Sequence, residues 1–424
     1  MTTLLKVIFV SVLCCAASRS AQAQCPGRWM SGPSVPTVNG SVFSIISWDP
    51  DQSGPLEPVV VVGGTFTIAG AVNARNIAIW NPRTGEWSAL GTGVNGKVAA
   101  LAVLPNGELL VGGEFDLIGT VQNRKLARWN GTTWSGWGGA LNGAVDAILV
   151  LPNGDIVIGG DFSFAGSVIA IRVARWNGTT WSAIGGGFNN TVTSLALLPN
   201  GEMLAGGGFD TTVGSVPVFT RYVAKWDGTS WGPAGVGFDS WVKSFLVTPD
   251  GGVFAAGLFG YSGPTALSRV GRWTGTGWSP LGTGANNKIN VLARTPNGNT
   301  VAAGWFTQAG GLSASMIAKW DGTAWSPMGA GVPERVNALC VLPDGDLLVG
   351  SDYPILVPPS AIMPRLSTRR ICVADMNCSG LLEVQDIFDY LAAWFDGAAV
   401  ADLNGDGLSV QDIFAFLNLW FAGC

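Results

Sequence analysis

Apolar residues along most of the chain fall in short runs that return at a nearly constant interval. Each run breaks at a Pro-Asn-Gly or Pro-Asp-Gly triplet and ends in a Gly-rich segment followed by an aromatic residue. LAVLPNGELLVGGEF (101–115) is a well-formed copy, and LVLPNGDIVIGGDF (149–162) is the next one. The closing aromatics are 47 to 50 residues apart: Phe66, Phe115, Phe162, Phe209, Phe259, Phe306 and Tyr353. A repeat of this length, made of several short apolar segments, predicts a β-propeller.

A second signature, ARWNGTTW (127–134), alternates with the first. It recurs with variations at 78–87, 174–181, 224–231, 271–278 and 318–325. The Pro-Asn-Gly or Pro-Asp-Gly triplet suits a tight turn between strands a and b of a blade, and Asn-Gly or Asp-Gly suits a hairpin between strands c and d. The paired glycines before each aromatic allow strands to crowd near the axis. Each repeat therefore predicts one four-stranded blade.

The two signatures are not equally numerous, which indicates how the ring closes. The first signature, which supplies strands a and b, occurs seven times, and the second, which supplies strands c and d, occurs six times. We therefore predict an all-β, seven-bladed propeller over residues 24–367, in which the N-terminal strand closes the last blade. Residues 25–29 would supply strand d of that blade, and residues 362–366 strand c. Because this register places Cys25 and Cys372 at the two ends of the missing turn, we expect them to form a disulfide. Cys340, on an inner strand, is expected to be a buried free thiol.

Composition and the N-terminus narrow the function classes. The 424 residues include 61 Gly and no His, which excludes His-dependent triads and His metal sites. Residues 1–23 predict a secretory signal peptide, because Lys6 precedes an apolar run, Val7–Ala17, and the cleavage pattern Ala21-Gln22-Ala23 follows it. The run is too short to span a bilayer. Losing the leader changes the net charge from −5 to −7. We therefore expect a secreted, extracellular or cell-surface protein with no transmembrane segment and no affinity for nucleic acid.

Two sets of propeller side chains are candidates for chemistry. Glu114, Asp161 and Asp352 occupy equivalent positions that form a ring around a propeller, and two suitably spaced carboxylates are what a glycosidase needs. Other copies have Thr, Gly, Leu or Trp at that position, so the acidic ring is incomplete. Three tryptophans break the repeat pattern and are candidates either for stacking on a sugar or for packing between blades: Trp137, Trp241 and Trp305.

These repeats resemble kelch-like propellers, and more closely the GGxF…ARWdGttWsaLG repeats of secreted bacterial proteins and of the yeast cortical cell-polarity marker family. The resemblance covers roughly residues 27–367. It implies the fold and says almost nothing about activity.

Composition changes after a Pro-containing segment, residues 354–371, that ends the last blade and leads into residues 372–424. Residues 375–395 and 402–421 are two copies of one pattern, in which VQDIF recurs after 26 positions. Each copy predicts a loop followed by a helix with an apolar stripe. The two stripes would pack against each other: Ile387, Phe388, Leu391, Trp394, Phe395, and Ile413, Phe414, Leu417, Trp420, Phe421.

The two loops carry oxygen ligands at the spacing of a twelve-residue, EF-hand-like calcium loop. Gly380 stands at the sharp turn of the first loop, whose predicted ligands are Asp375, Asn377, Ser379, Leu381 through its carbonyl, Glu383 and Asp386. The second loop is one residue shorter, and its predicted ligands are Asp402, Asn404, Asp406, Leu408, Ser409 and Asp412. We expect two Ca²⁺ sites, and because Ser409 replaces a carboxylate in the shortened loop, the second site should be weaker.

Residues 372–424 resemble a type I dockerin, and the terminal Gly423-Cys424 resembles a variant found on secreted bacterial proteins. The resemblance implies docking onto a cohesin-like or other cell-surface protein. At the helix starts, where ordinary dockerins often carry Ser-Thr pairs, this chain has Val384-Gln385 and Val410-Gln411. Because the two ends of a dockerin meet, the resemblance also implies a Cys378–Cys424 disulfide. A Cys372–Cys424 pair and a terminal thiol used for attachment are the alternatives.

The sequence as a whole predicts a secreted, non-catalytic propeller that binds protein or glycan and is anchored or assembled through a calcium-dependent module. A dockerin-targeted polysaccharide-degrading enzyme and an architectural cell-surface component are the alternative hypotheses.

Overall fold

The computed structural model describes residues 28–29, 37–52, 54–119, 121–122, 125–214, 216–343, 345–352, 365–367, 384–395, 401 and 408–422. The chain divides into two compact units. One unit is Gly27–Thr368, and the other combines Met1–Pro26 with Arg369–Cys424. The predicted signal peptide and both predicted disulfides lie outside the described residues.

The larger unit is built from short antiparallel sheets that follow one another along the chain. Strand β1 is Arg28–Trp29. The first blade comprises β2 (Ser41–Trp48), β3 (Val59–Thr65), the hairpin β4 (Ile68–Ala69) and β5 (Val72–Asn73), β6 (Ile77–Trp80) and β7 (Trp87–Ala89). The second comprises β8 (Val98–Val103), β9 (Leu109–Gly113), the hairpin β10 (Leu117–Ile118) and β11 (Val121–Gln122), β12 (Leu126–Trp129) and β13 (Trp134–Gly136). The third comprises β14 (Val145–Val150), β15 (Ile156–Gly160), the hairpin β16 (Phe164–Ala165) and β17 (Val168–Ile169), β18 (Val173–Trp176) and β19 (Trp181–Ala183).

Three further blades have the same order of strands. The fourth comprises β20 (Val192–Leu197), β21 (Met203–Gly207), β22 (Val223–Trp226) and β23 (Trp231–Pro233). The fifth comprises β24 (Val242–Val247), β25 (Val253–Gly257), the hairpin β26 (Tyr261–Ser262) and β27 (Thr265–Ala266), β28 (Val270–Trp273) and β29 (Trp278–Pro280). The sixth comprises β30 (Ile289–Arg294), β31 (Thr300–Gly304), the hairpin β32 (Gln308–Ala309) and β33 (Leu312–Ser313), β34 (Ile317–Trp320) and β35 (Trp325–Pro327).

The last sheet has a different construction. Strand β36 (Val336–Val341) pairs with β37 (Leu347–Ser351), and β37 pairs with β38 (Arg365–Ser367). Strand β1, from the other end of the chain, pairs with β38 and completes the sheet. Each of the outer two pairings is only two residues long: Arg28 and Trp29 pair with Ser367 and Leu366, and Leu347 and Leu348 pair with Leu366 and Arg365.

The prediction of a seven-bladed propeller is therefore corrected. Six sheets are complete blades made of four consecutive strands, and the composite sheet does not make a seventh blade of the same construction. The sequence explains the difference, because residues 353–364 contain four prolines and lack the ARW signature that forms the third strand elsewhere. Proline has no N–H to donate to a strand ladder. The all-β propeller class itself was predicted correctly.

The hydrophobic core lies between neighbouring sheets rather than in one central mass. Each cluster combines the inner strands of two sheets, as where Trp48 and Val61 of the first blade pack with Val111 of the second. The ring closes in the same way, since Val42 and Leu348 share a cluster across the first blade and the composite sheet.

The glycines before each closing aromatic permit this packing, as predicted. A Cβ added to Gly159 would lie 2.5 Å from Val192 of the next blade, and one added to Gly350 would lie 2.5 Å from Val42. The following glycine faces backbone instead, since a Cβ on Gly160 would lie 2.0 Å from the carbonyl oxygen of Ala144. These positions accept no side chain without movement of the neighbouring strand.

The second Trp of each repeat fastens one blade to the blade before it. The Trp181 indole donates a hydrogen bond of 2.6 Å to the Gly138 carbonyl, and the Trp231 indole donates one of 2.9 Å to that of Ile184. Trp134, Trp278 and Trp325 do the same, so that this bond joins each of the six complete blades to the next. The Trp repeat is thus largely structural.

Cys340 is a buried free cysteine, which confirms its prediction. Burial raises the pKa of its thiol to about 11. The protonated, unreactive form therefore predominates at neutral pH.

The smaller unit contains two helices, α1 (Val384–Phe395) and α2 (Val410–Ala422). They pack together as predicted, through six of the predicted positions and through Tyr390 and Phe416, which were not predicted. Tyr390 and Phe416 are fully buried with their rings 4.0 Å apart, and the Tyr390 hydroxyl donates to the carbonyl of Ala401. Phe388, Phe395 and Phe414, which were also predicted to be buried, are exposed.

The shift has a geometric reason. The buried positions in each helix follow i, i+3, i+4 and i+7, which keeps them on one side of a 3.6-residue helix: Ile387, Tyr390, Leu391, Trp394, and Ile413, Phe416, Leu417, Trp420. Among the described residues, no helix is long and apolar enough to cross a membrane.

Candidate functional site

Every inner strand of the propeller carries a β-bulge near its start. In β14, for example, Val145 pairs with Gly160 and Ala147 pairs with Gly159, so that Asp146 is the extra residue. A bulge redirects the side chain of its extra residue away from the regular pleat. The extra residues of the seven inner strands all line a central cavity: Phe43, Ala99, Asp146, Thr193, Lys243, Asn290 and Asn337.

The central cavity has a volume of about 800 Å³. A second tier of its lining comes from the residues just before the inner strands and just after the second strands, including Lys97, Glu114, Trp241, Lys288 and Trp305. The hairpins between second and third strands lie on the same face as this tier. Isolated bridges show this arrangement, since Leu141 before β14 pairs with Ala165 in the following hairpin.

Charges around the cavity are sorted by side. On the side of the second and third blades, the charged groups pair with each other: Lys97 with Glu114 at 3.0 Å, Lys125 with Asp116 at 3.0 Å, and Arg172 with Asp161 at 2.6 Å. Asp146 is the exception, because it forms no ion pair or hydrogen bond among the described residues. We call this side the acidic wall.

The opposite side, which we call the cationic wall, consists of Lys243, Lys288, Arg335, Trp241 and Trp305. Lys243 lies 4.7 Å from the ring centre of Trp241. Lys288 and Arg335 lie 3.3 Å and 4.0 Å from that of Trp305. The ion pairs of the described residues include none of these three cations. The indole faces lie against these charges. Asp146 and Asp352 act on Lys243 and Lys288 only from beyond ion-pair distance, and each raises the pKa of its lysine.

The electrostatics of the cavity reflect this unpaired charge. Burial raises the pKa of Asp146, and the nearby Glu114 adds to the effect, while Lys97 and Lys243 oppose it. Burial likewise lowers the pKa of Lys243 and that of Lys288, and Lys243 itself lowers the pKa of Lys288 further. Both walls therefore hold charges that a bound group of opposite sign would stabilise.

The structure brings together two of the three predicted ligand-binding tryptophans. Trp241 and Trp305 line the cavity, whereas Trp137 packs in the core between blades, 6.2 Å from Trp176 and beneath Arg128. Glu114, Asp161 and Asp352 also line the cavity. Asp352 accepts a hydrogen bond of 2.7 Å from Asn337.

Sequence analysis did not find the bulge residues, and Asp146 and Lys243 are the most important of them. A signal was present, because each follows a buried Val or Ile that recurs in every inner strand. At this single position the copies differ freely, with Phe, Ala, Asp, Thr, Lys, Asn and Asn. A position that varies in size and charge, between a Val or Ile and a Ser, Ala or Val, is typical of a recognition surface on a repeat scaffold.

The face around the cavity also carries exposed apolar side chains on the third, fourth and fifth blades. Phe164 and Ile169 face each other across the hairpin of the third blade. Phe219 forms an isolated bridge with Thr211 in the corresponding segment of the fourth blade, and Tyr261 lies in the hairpin of the fifth. Val236 lies beside the Tyr261 hairpin. We call this set the apolar rim. It adjoins the cationic wall at the fifth blade.

Most of the predicted calcium ligands lie outside the described residues: Asp375, Asn377, Ser379, Leu381, Glu383, Asp402, Asn404 and Asp406. The side chain of Asp386, in α1, is also outside them. Two of the predicted ligands of the second loop that are described, Ser409 and Asp412, cap the start of α2. The Asp412 carboxylate accepts hydrogen bonds of 2.8 Å and 3.0 Å from the backbone N–H and hydroxyl of Ser409. This arrangement is half of a capping box, in which the third helical residue reaches back to the cap.

Comparisons with known proteins identify propeller repeats. The family model described as the Rax2 C-terminal beta propeller domain matches residues 37–137. A beta-propeller domain of unknown function (DUF5122) matches residues 151–178, and the WD domain, G-beta repeat, matches residues 183–214. No curated protein matches the chain.

Solved structures share the fold. The WD40 beta propeller domain of Doa1 is 13% identical with a TM-score of 0.51, and the match covers 81% of this chain and 96% of that one. YCF48 bound to D1 peptide is 15% identical with a TM-score of 0.50, and the match covers 82% and 96%. At these identities the likeness concerns the fold alone. The comparisons therefore establish β-propeller repeats.

Proposed function

We propose that this protein is a non-catalytic binding scaffold whose ligand enters the central cavity of the propeller. The sorted charges of the cavity support this proposal most directly. A ligand-binding site needs a few polar or charged side chains that are not already paired within the protein. Here Asp146, Lys243 and Lys288 line the same cavity, and none of them forms an ion pair among the described residues. The complete blades around it supply a rigid frame, because each is fastened to the next by packing and by a Trp hydrogen bond.

The same cavity argues against the alternative of a polysaccharide-degrading enzyme. Glycoside hydrolysis needs two carboxyl groups, about 5–10 Å apart, that are free to exchange protons or attack the sugar. Glu114 and Asp161 are each held in an ion pair, and Asp352 accepts a hydrogen bond from Asn337. Among the described carboxylates of the cavity, only Asp146 has no ion pair or hydrogen bond.

Incubation of the full-length chain with a panel of neutral and acidic polysaccharides tests this choice. We expect no release of reducing ends above the level of the Asp146→Asn variant, because that variant lacks the only unpaired carboxylate described in the cavity. Product release that is lost in Asp146→Asn would show that the protein is an enzyme. Release that persists unchanged in the variant would indicate a contaminating activity, and the scaffold proposal would stand.

The C-terminal unit extends the proposal to anchoring. The duplicated loop–helix pattern and the packing of α1 against α2 support a calcium-dependent module that docks onto a cohesin-like or other cell-surface protein, on a chain exported by residues 1–23. Val384, Gln385, Val410 and Gln411, at the proposed recognition positions, are all exposed. In an architectural cell-surface component, the same module would anchor the chain and the propeller cavity would bind no ligand.

Calorimetric titration of the metal-free full-length chain with Ca²⁺ tests the module. Two sites of unequal affinity are expected, and Asp375→Asn should remove the stronger one and Asp402→Asn the weaker. The second site should be the weaker one because its loop is one residue shorter and has Ser409 where the first loop has a carboxylate. Two equal sites would contradict the assignment of ligands, and no binding at all would contradict the module.

A further inference from the structure

We propose that the cavity face binds an acidic peptide segment of a partner protein, with its carboxylates on the cationic wall and its apolar side chains on the apolar rim. This inference rests on the proposed scaffold function and names the class of its ligand.

The first argument is charge complementarity. Lys243, Lys288 and Arg335 come from three successive inner-strand segments and lie on one wall, yet none has an anionic partner within ion-pair distance among the described residues. On the acidic wall every lysine and arginine has one. Asp146 and Asp352 offset part of the charge on Lys243 and Lys288 from beyond ion-pair distance. Lys243 still lowers the pKa of Lys288, and carboxylates placed between the three cations would relieve that repulsion.

The surroundings of the two indoles favour a peptide over a saccharide as the ligand. Saccharide binding by tryptophan uses a bare aromatic face. The face of Trp305 is covered by Lys288 and Arg335, and the ring of Trp241 lies under Lys243. The edge of Trp241 is enclosed as well, since a Cβ added to Gly208 would lie 2.3 Å from its Cζ2. The indoles hold the lysine and arginine heads in place and leave no open stacking platform.

The third argument is the apolar rim. Phe219 and Ile169 are 75% and 65% exposed, and Tyr261 is 53% exposed, on three adjacent blades of the face that contains the cavity. Exposed apolar side chains next to a charged pocket are typical of a protein interface, in which an apolar area surrounds a few directed polar contacts. The rim adjoins the cationic wall at the fifth blade, so one extended segment can contact both.

Fluorescence anisotropy with the full-length chain provides the test. The probe is a short fluorescein-labelled peptide in which Glu residues are flanked by Leu and Phe, and its matched control carries Gln in place of Glu. Lys243→Met and Lys288→Met keep the apolar stem and remove the charge. Lys319→Met is the control, because Lys319 lies on β34 and does not line the cavity.

We expect the Glu peptide to bind, the Gln peptide to bind far more weakly, and each cavity substitution to weaken the Glu peptide by about tenfold. Lys319→Met should have no effect. Asp146→Asn should tighten binding, because it removes a carboxylate that repels the peptide. On the rim, Tyr261→Ala should weaken binding, whereas Leu56→Ala, an exposed apolar residue between β2 and β3, should not.

Other outcomes would overturn the inference. No binding of the Glu peptide would do so, as would equal binding by the cavity variants and the Lys319→Met control. If oligogalacturonate bound with the same dependence on Lys243 and Lys288 while the peptide did not, the ligand would be an acidic saccharide and the scaffold function would remain. Polysaccharide turnover that depends on Asp146 would instead overturn the scaffold function itself.

Discussion

Replacing Gly160 with alanine should destabilise the propeller by at least about 3 kcal/mol, which is at the upper end of what overpacking costs. The backbone of Gly160 needs no special conformation, because its φ is not in the left-handed region. The effect is purely steric: the new Cβ would lie 2.0 Å from the carbonyl oxygen of Ala144, the residue immediately before β14. A backbone oxygen cannot rotate away as a flexible side chain can, so β14 itself would have to move.

Urea or thermal unfolding of the full-length chain measures this effect. Gly232→Ala is the matched control, since a Cβ at Gly232, in β23, meets nothing within 4 Å. That substitution should be neutral or slightly stabilising, because alanine has less freedom to lose on folding. If the two variants unfolded together, the close strand contact at Gly160 would be refuted.

Replacing Tyr390 with alanine should remove the fold of the smaller unit. Tyr390 is fully buried, stacks on Phe416 and donates to the Ala401 carbonyl, so the substitution removes a large part of a very small core together with a buried hydrogen bond. Truncating a buried aromatic residue costs about 3–5 kcal/mol, which a two-helix unit cannot spare.

Hydrogen exchange with mass spectrometry, on the full-length chain in the presence of Ca²⁺, would locate the loss. Amides of α1 and α2 should lose their protection in Tyr390→Ala, while those of the propeller strands keep theirs. Phe388→Ala is the control, because Phe388 lies in the same helix and is exposed. Equal loss of protection in both variants would show that the buried stripe has been assigned to the wrong side of the helix.

Much of the fold was predictable because it depends on local chemistry that the repeats display openly. The Asn-Gly and Asp-Gly turns, the crowded glycines such as Gly159 and the buried thiol of Cys340 all follow from short-range rules. The stripe of α1 was predicted only in part, because Phe388 is apolar but faces solvent, and apolarity alone does not decide which side of a helix is buried. The composite sheet differs from the complete blades because its third strand is the short β38, which lacks the usual ARW signature, and its fourth strand is β1 from the other end of the chain.

The candidate site was only half predictable, and the reason is geometric. Trp241, Trp305 and the acids of the second tier break the repeat pattern and therefore attract attention. Asp146 and Lys243 lie within strands in which successive side chains point to opposite faces of the sheet. In a regular strand, without the bulge, this alternation would not direct them into the cavity. The bulge that turns them into the cavity is a property of strand pairing between β14 and β15, or β24 and β25, and has no separate mark in either strand.

The seven bulges have a consequence for how such a protein can be redesigned. Each contributes one side chain to the cavity while its neighbours, such as Val145 and Ala147, remain buried between blades. Affinity and folding are thus encoded by different residues of the same strand. A combinatorial library confined to the seven extra positions would vary the binding chemistry around a fixed frame, much as an antibody varies its loops, but with every randomised residue on a β-strand.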